Sequence, residues 1–262
     1  MFSLEGRVAL VTGGTRSVGR GIASGLSEAG AVVYITGRTI TDRIAGQISK
    51  PGGRAIAVPC DHENDDEVKA VFERIKRDEG RLDVLVNNAW GGYRRLRNRK
   101  AYPGYKWKDP FWKQPVAVWD EMHSVGVRSN YIASAFAAPM MIEQGSGLIV
   151  CISFYAGRKY LGNVSYGVAK AATDRLARDM AVELEPHGVA SVSLYPGHVI
   201  DRKPSPKPKR ESARFVGRAV AALASDPEIM NRSGEIQVVA ELAREYGFTD
   251  IDGTQPEPLD VL

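Results

Sequence analysis

The sequence predicts an α/β fold, a doubly wound parallel sheet of about seven strands flanked by helices. Three observations carry that prediction. Short β-branched apolar runs alternate with longer amphipathic stretches along the whole chain. A glycine turn, Gly13 to Gly19, falls where the first such run gives way to the first helical pattern. The length of 262 residues, 44% apolar and 25% charged, suits one well-buried core, so residues 1–262 read as a single domain.

Arg7 to Thr12 is the first strand, and a helical pattern runs from the turn to Gly30. Strand, glycine turn and helix N-terminus together present backbone N–H groups to a phosphate. Gly13 makes the tight turn, and Gly19 lets the helix pack closely on its strand. Between them Ser17 holds the position of closest approach to a pyrophosphate, where glycine is usual; its Cβ takes up room, while its hydroxyl can donate. Thr15, Arg16 and Val18 complete this candidate cradle, whose bland alternative is a glycine-rich turn with no ligand.

The second strand, Ala31 to Thr36, ends in Gly37-Arg38, where a carboxylate would hold the adenosine 2′-hydroxyl of NAD. No acid stands there. Arg16 and Arg38 instead offer guanidiniums to a 2′-phosphate, which favours NADP(H) over NAD(H). A third strand, Ala55 to Pro59, leads into Cys60-Asp61-His62, where Asp61 could accept from an adenine amine and His62 adjoins it. A charged helix from about Asn64 to Glu79 and a strand from Leu82 to Val86 run into Asn87-Asn88-Ala89. Asn87 could pin neighbouring strands or line the cleft, and these polar residues could equally serve turn chemistry.

Residues 90–118 break the rhythm as an aromatic and basic insertion, with Trp90, Tyr93, Tyr102, Tyr105, Trp107, Phe111 and Trp112. So long and aromatic a connection predicts a role in specificity. Leu148 to Ile152 is a buried strand ending at Ser153. Tyr166 and Lys170 follow, four residues apart in a long helix, so both project from one face. A lysine ammonium beside a phenol lowers a pKa that starts near ~10, which makes a proton donor and acceptor; the alternative is one solvated helix face. Pro196-Gly197 and Val199 come after the next strand, then a basic lid-like loop at 201–212, a helix to about Ala224, a last strand at Glu235 to Val239 and a short helix near Ala240 to Tyr246.

Charge and composition exclude several classes. Residues 94–113 hold eight Lys/Arg against one acid, Asp109, and 202–210 hold five with none, so the positive field belongs to two segments that would flank a cleft. An aromatic pocket with a positive rim suits a flat or anionic small molecule. No base-stacking module accompanies the basic residues, so no nucleic-acid partner is expected. No apolar run is long enough for a bilayer and none resembles a leader, which points to the cytoplasm and to no membrane partner. Cys60 and Cys151 lie in apolar runs and read as buried free thiols. The four histidines lack ligand spacing, so no metal is expected.

Taken together, Thr12-Gly13-x-x-x-Ser17-x-Gly19, Asn87-Asn88-Ala89, Ser153, Tyr166-x-x-x-Lys170 and Pro196-Gly197 make the chain resemble the short-chain dehydrogenase/reductase family over nearly its whole length. Within that family, residues 80–89 and 243–253 resemble the dehydrogenase/reductase member one branch. The resemblance implies a Rossmann-fold, NADP(H)-dependent oxidoreductase that interconverts a ketone or aldehyde and an alcohol. It implies that Tyr166 exchanges the proton, that Lys170 holds the nicotinamide ribose and lowers the tyrosine pKa, and that Ser153 donates to the carbonyl oxygen. Asn88, Pro196, Gly197 and Val199 join the cofactor residues on the same ground. The alanine-rich helix faces at Tyr131 to Met141 and Tyr166 to Leu184 become subunit contacts of a homodimer or homotetramer. Four positions depart from the pattern. Phe154 replaces the second of two serines, Gly126 an active-site Asn, Trp90 a glycine, and Asp201 a Thr. They motivate an alternative, a nucleotide-binding sensor or scaffold of the same fold with decayed chemistry.

Overall fold

The computed structural model describes residues 2–98, 100, 102–200 and 210–259. The strands in chain order are β1 (Val8–Val11), β2 (Val32–Gly37), β3 (Arg54–Pro59), β4 (Val84–Asn87), β5 (Gly147–Ile152), β6 (Val189–Tyr195), β7 (His198–Ile200), β8 (Arg210–Ser212) and β9 (Ile236–Val238). All but β7 and β8 form one parallel sheet of seven strands in the order β3-β2-β1-β4-β5-β6-β9, the predicted doubly wound arrangement. The helices are α1 (Ser17–Glu28), α2 (Asp42–Ile48), α3 (Asp65–Glu79), α4 (Arg94–Arg97), α5 (Val116–His123), α6 (Ser129–Gln144), α7 (Val164–Leu184), α8 (Ala213–Ser225) and α9 (Val239–Tyr246).

The strands are apolar on both faces because helices cover both. In β1, Ala9 and Val11 turn into one core with Ile22, Leu26, Phe215 and Val220 of α1 and α8, while Val8 and Leu10 turn into the other with Val71, Ile75 and Ala137 of α3 and α6. Every residue of β1, β4 and β6 is buried. Each fully buried Leu, Ile or Val contributes ~1.5–3 kcal/mol, so the sheet centre is a rigid base for whatever its edges carry. Local signals set the helix ends. Asn64 accepts from the Asp66 and Glu67 amides at the start of α3, and Gly80, at φ 71°, ends it in the left-handed region.

The opposite ends of the sheet serve different purposes. At the amino end Asp83 is buried and holds Arg7 at 2.8 Å, Arg81 at 2.6 Å and the Val8 amide at 2.8 Å. At the carboxyl end the strand order reverses between β1 and β4, which opens the crevice where ligands of such sheets bind.

Two features differ from the sequence-based expectation. Part of the lid-like loop is strand: β8 pairs in parallel with β7, Arg210 opposite His198 and Ser212 opposite Ile200. The rest of that loop, residues 201–209 with Asp201, lies outside the described residues. Between α5 and α6 the helical ladder widens into a π turn over Ser124–Arg128, with Gly126 at its centre. No helix among the described residues is long and apolar enough to cross a membrane.

Candidate active site

One cavity of about 1090 Å³ runs along the carboxyl ends of the strands, from Arg16, Arg38, Asp61 and His62 at one end to Tyr166 and Lys170 at the other. The turn at its floor is tied to β4. Thr12 Oγ1 accepts from the Asn88 and Ala89 amides at 2.9 and 3.0 Å, and Asn88 Nδ2 donates to Thr12 O and Gly13 O at 2.8 and 3.1 Å. Gly13, at φ 64°, has no room for a side chain: a Cβ there would lie 2.9 Å from Ala89 Cα. Ser17 is the one non-glycine among the described residues with positive φ, at 48°, a conformation that glycine adopts without strain. Arg16, at the N-cap of α1, makes no side-chain capping bond, and Ser17, Val18 and Gly19 at the start of that helix line the cavity. A tight turn at the start of a helix, beside two guanidiniums, fits the phosphates of a dinucleotide.

The far rim of that half is polar. Arg38 lies 3.7 Å from Asp61, and their side chains are 55% and 35% exposed. His62 is buried with Nε2 2.7 Å from Thr36 Oγ1, and burial lowers its pKa to about 4, so the ring is neutral near pH 7. Its Nδ1 is buried without a partner. Val18, Thr15, Pro196, Gly197 and Val199 line the same cavity. Asn87 does not, because its amide bonds Ser134 Oγ at 2.9 Å and pins β4 to α6.

At the other end α7 delivers both expected side chains. Asn163 caps the helix by accepting from the Tyr166 amide at 3.0 Å. The Tyr166 ring is only 6% exposed, with Trp107, Trp90, Tyr93 and Phe154 at centroid distances of 5.2, 5.7, 6.3 and 6.3 Å. Lys170, 8% exposed, donates to Ile152 O at 3.0 Å and stands 4.4 Å from the Trp90 ring centroid. Burial pulls its pKa down to about 8, against the opposing pull of Asp174.

The electrostatics correct one expectation. In this arrangement the Tyr166 pKa is raised well above 10, first by burial and then by Tyr93. Lys170 is not among the causes of that shift; its ammonium donates to Ile152 O and stands 5.9 Å from the Tyr166 ring centroid. Ser153 reaches the cavity wall, but its hydroxyl is directed into the protein, where it donates to Lys170 O at 3.2 Å. Tyr195 donates to Asp174 at 2.5 Å.

The insertion supplies what sequence reasoning left unassigned. Trp90, Tyr93 and Trp107 wall in Tyr166, while Phe111 and Trp112 are 62% and 72% exposed and take no part in the pocket. Asn163 Nδ2 donates to Trp107 O at 2.9 Å, and Arg95 pairs with Glu121 at 3.3 Å, so the wall is anchored to α7 and α5. Glu211 was also missed. It is 2% exposed and accepts from the Gly197 amide at 2.7 Å, a pairing across β7 and β8 that no local pattern announces.

A family model described as short chain dehydrogenase matches residues 7–203. Dehydrogenase/reductase SDR family member 1 of Mus musculus is 43% identical over 272 residues, spanning 95% of this chain and 85% of that protein. The chain belongs to the short-chain dehydrogenases/reductases. The Homo sapiens protein of the same description is 40% identical over the same shares, which puts the chain in that branch of the family. The crystal structure of a short-chain type dehydrogenase/reductase from Mycobacterium marinum shares the fold, with a TM-score of 0.74 over 90% of this chain and 94% of that one at 24% identity. As a short-chain dehydrogenase/reductase the chain is of an oxidoreductase family that uses a nicotinamide cofactor, NAD or NADP, and acts on small molecules.

Proposed function

We propose that the chain interconverts a ketone or aldehyde and its alcohol with NADP(H). The carrying observation is the single cavity that has Arg16 and Arg38 at one end and Tyr166 with Lys170 at the other. Arg38 follows β2 with no carboxylate at residues 37–39, the place from which a 2′-hydroxyl would be held. The Arg38 pairing with Asp61 is half exposed and stabilises little, so a 2′-phosphate outcompetes it.

In this reading Gly13, Thr15, Ser17, Val18 and Gly19 cradle the pyrophosphate, Asp61 and His62 bound the adenine, and Pro196, Gly197 and Val199 flank the nicotinamide. Asn88 fixes the cradle from below. When bound, the reduced nicotinamide supplies a hydride to the carbonyl carbon. The carbonyl oxygen takes the Tyr166 proton as its π electrons move onto oxygen. Lys170 would hold the nicotinamide ribose and set its positive charge beside the phenolate that forms. Ser153 holds this apparatus in place through the Lys170 carbonyl. Tyr131, Val168 and Val182, which are 58%, 42% and 68% exposed on α6 and α7, support a homodimer or homotetramer through those helices.

Oxidation of NADPH and of NADH with a panel of ketones and aldehydes tests the reading. Turnover with NADPH, lost in Tyr166→Phe with cofactor affinity kept, is expected. Cofactor binding without turnover of any carbonyl would make the chain a sensor or scaffold instead.

A further inference from the structure

We infer that Tyr93 is a second catalytic hydroxyl, donating a hydrogen bond to the substrate carbonyl oxygen beside Tyr166. This rests on the carbonyl reductase reading above and adds a residue to it. The hydroxyls of Tyr93 and Tyr166 stand 3.4 Å apart at the end of the cavity. That is long for a mutual hydrogen bond, but it allows both to point at one oxygen about 2.8 Å from each.

Donors at this end include the unpartnered Trp90 indole N–H, but few are hydroxyls. Phe154, which faces Tyr166 from the end of β5, has no donor. Ser153 has a single proton, and its hydroxyl already donates it to Lys170 O at 3.2 Å. Gly126 has no side chain, and the space beside it is filled by Trp90. Tyr93 alone among these wall residues brings a hydroxyl to the Tyr166 hydroxyl. Its ring is held in place at 5.7 Å from Trp107 and 6.0 Å from Trp90, and the Arg97 guanidinium lies 5.8 Å from its centroid. A donor held this way needs no reorganisation as negative charge grows on the oxygen, the condition under which such a bond accelerates a reaction.

Tyr93 keeps its proton throughout. Tyr166 loses the one that is transferred, and the Tyr93 bond strengthens as the carbonyl oxygen becomes an alkoxide. The same walls, Trp90, Trp107 and Phe154, favour a flat aryl carbonyl as the substrate class.

Two measurements test this on the intact chain. The first compares NADPH-dependent reduction of acetophenone and 4-nitrobenzaldehyde by wild type, Tyr93→Phe, Ser153→Ala and Tyr166→Phe. Tyr93→Phe should lower kcat by about 10–100-fold with little change in NADPH affinity, and should lose more than Ser153→Ala. The second reads the carbonyl stretch of isotope-labelled acetophenone bound beside NADP⁺, where no turnover occurs. Wild type should lower the frequency most, with Tyr93→Phe and Tyr166→Phe each giving back part of the shift. A Tyr93→Phe protein that melts like wild type yet keeps its kcat within about twofold, or leaves the carbonyl frequency unmoved, would overturn this inference while the reductase reading stands. A wild type that reduces no carbonyl would remove both.

Discussion

Trp90 fills the space that a side chain on residue 126 would need: a Cβ built on Gly126 would lie 2.2 Å from Trp90 Cζ3. The same indole carries the Lys170 ammonium on its face, 4.4 Å from the ring centroid. An aromatic ring on the loop after β4 and an empty position in the π turn are therefore one device, which sets where the lysine rests.

Gly126→Asn forces the indole out of its slot and is expected to lower stability by about 1–3 kcal/mol, as overpacking does. Trp90→Ala leaves a hole and releases Lys170. Combining Trp90→Ala with Gly126→Asn refills the slot from the other side, so the double variant should be more stable than the sum of the singles by at least about 1 kcal/mol. Urea melts of the four proteins measure that coupling. Strict additivity would show that the two positions act independently.

Lys170 is held at a cost to stability. Its pKa is about 8 in the folded chain against an ordinary 10.5, so between those values the unfolded chain binds the proton and the folded chain does not. Stability therefore rises with pH across that window, and the penalty of burying the ammonium is fully present below it. Lys170→Met is expected to gain about 1–3 kcal/mol at neutral pH while turnover collapses. Thermal melts beside rate measurements check both halves; a destabilised Met variant would mean that the Trp90 and Ile152 contacts outweigh the desolvation.

Glu211 imposes the opposite slope. Burial pushes its pKa to about 8 from 4.5, opposed by the Gly197 amide and reinforced by Asp250. The folded chain holds this proton where the unfolded chain has lost it, so the contribution is whole below 4.5 and is lost as pH rises through about 8. His62, about 4 when folded against 6.5, adds stability as pH rises between those values, so the Glu211 decline stands clear of it only from about 6.5 to 8. Glu211→Gln keeps an acceptor for the Gly197 amide and removes the titration. Its melting temperature should be flat across that interval while that of wild type falls.

How much of this was legible depends on the range of the interaction that decides it. The strands were legible because continuous apolar runs such as Val84 to Val86 follow from burial on both faces, which is written locally. The Tyr166 and Lys170 pairing was legible because helical spacing alone puts them on one face. What the lysine touches was not, since Ile152 O and the Trp90 ring come from elements far away in the chain. Spacing located Ser153 but could not give the direction of its hydroxyl, which the Lys170 carbonyl sets from within α7. The short β7 and β8 carry too few residues for any periodicity, so the pairing that buries Glu211 left no mark on the sequence.

Cofactor preference gives the sharpest reading of the cavity's other end. Arg38 is 55% exposed and its partner Asp61 lies 3.7 Å away, so a phosphate that displaces this carboxylate gains a charge-assisted contact at small cost. Arg38→Asp removes the guanidinium and puts a carboxylate where a 2′-hydroxyl could donate. It should weaken NADPH binding by about 10–100-fold, about 1.4–2.7 kcal/mol, and leave NADH binding unchanged or tighter. Asp61→Asn removes the competitor and should tighten NADPH modestly, with a steeper loss of affinity with salt than Arg38→Asp shows. Fluorescence titration of both cofactors into the three proteins decides it. Equal loss of NADPH and NADH in Arg38→Asp would mean that Arg38 holds the adenine end as a whole and does not read the 2′ position.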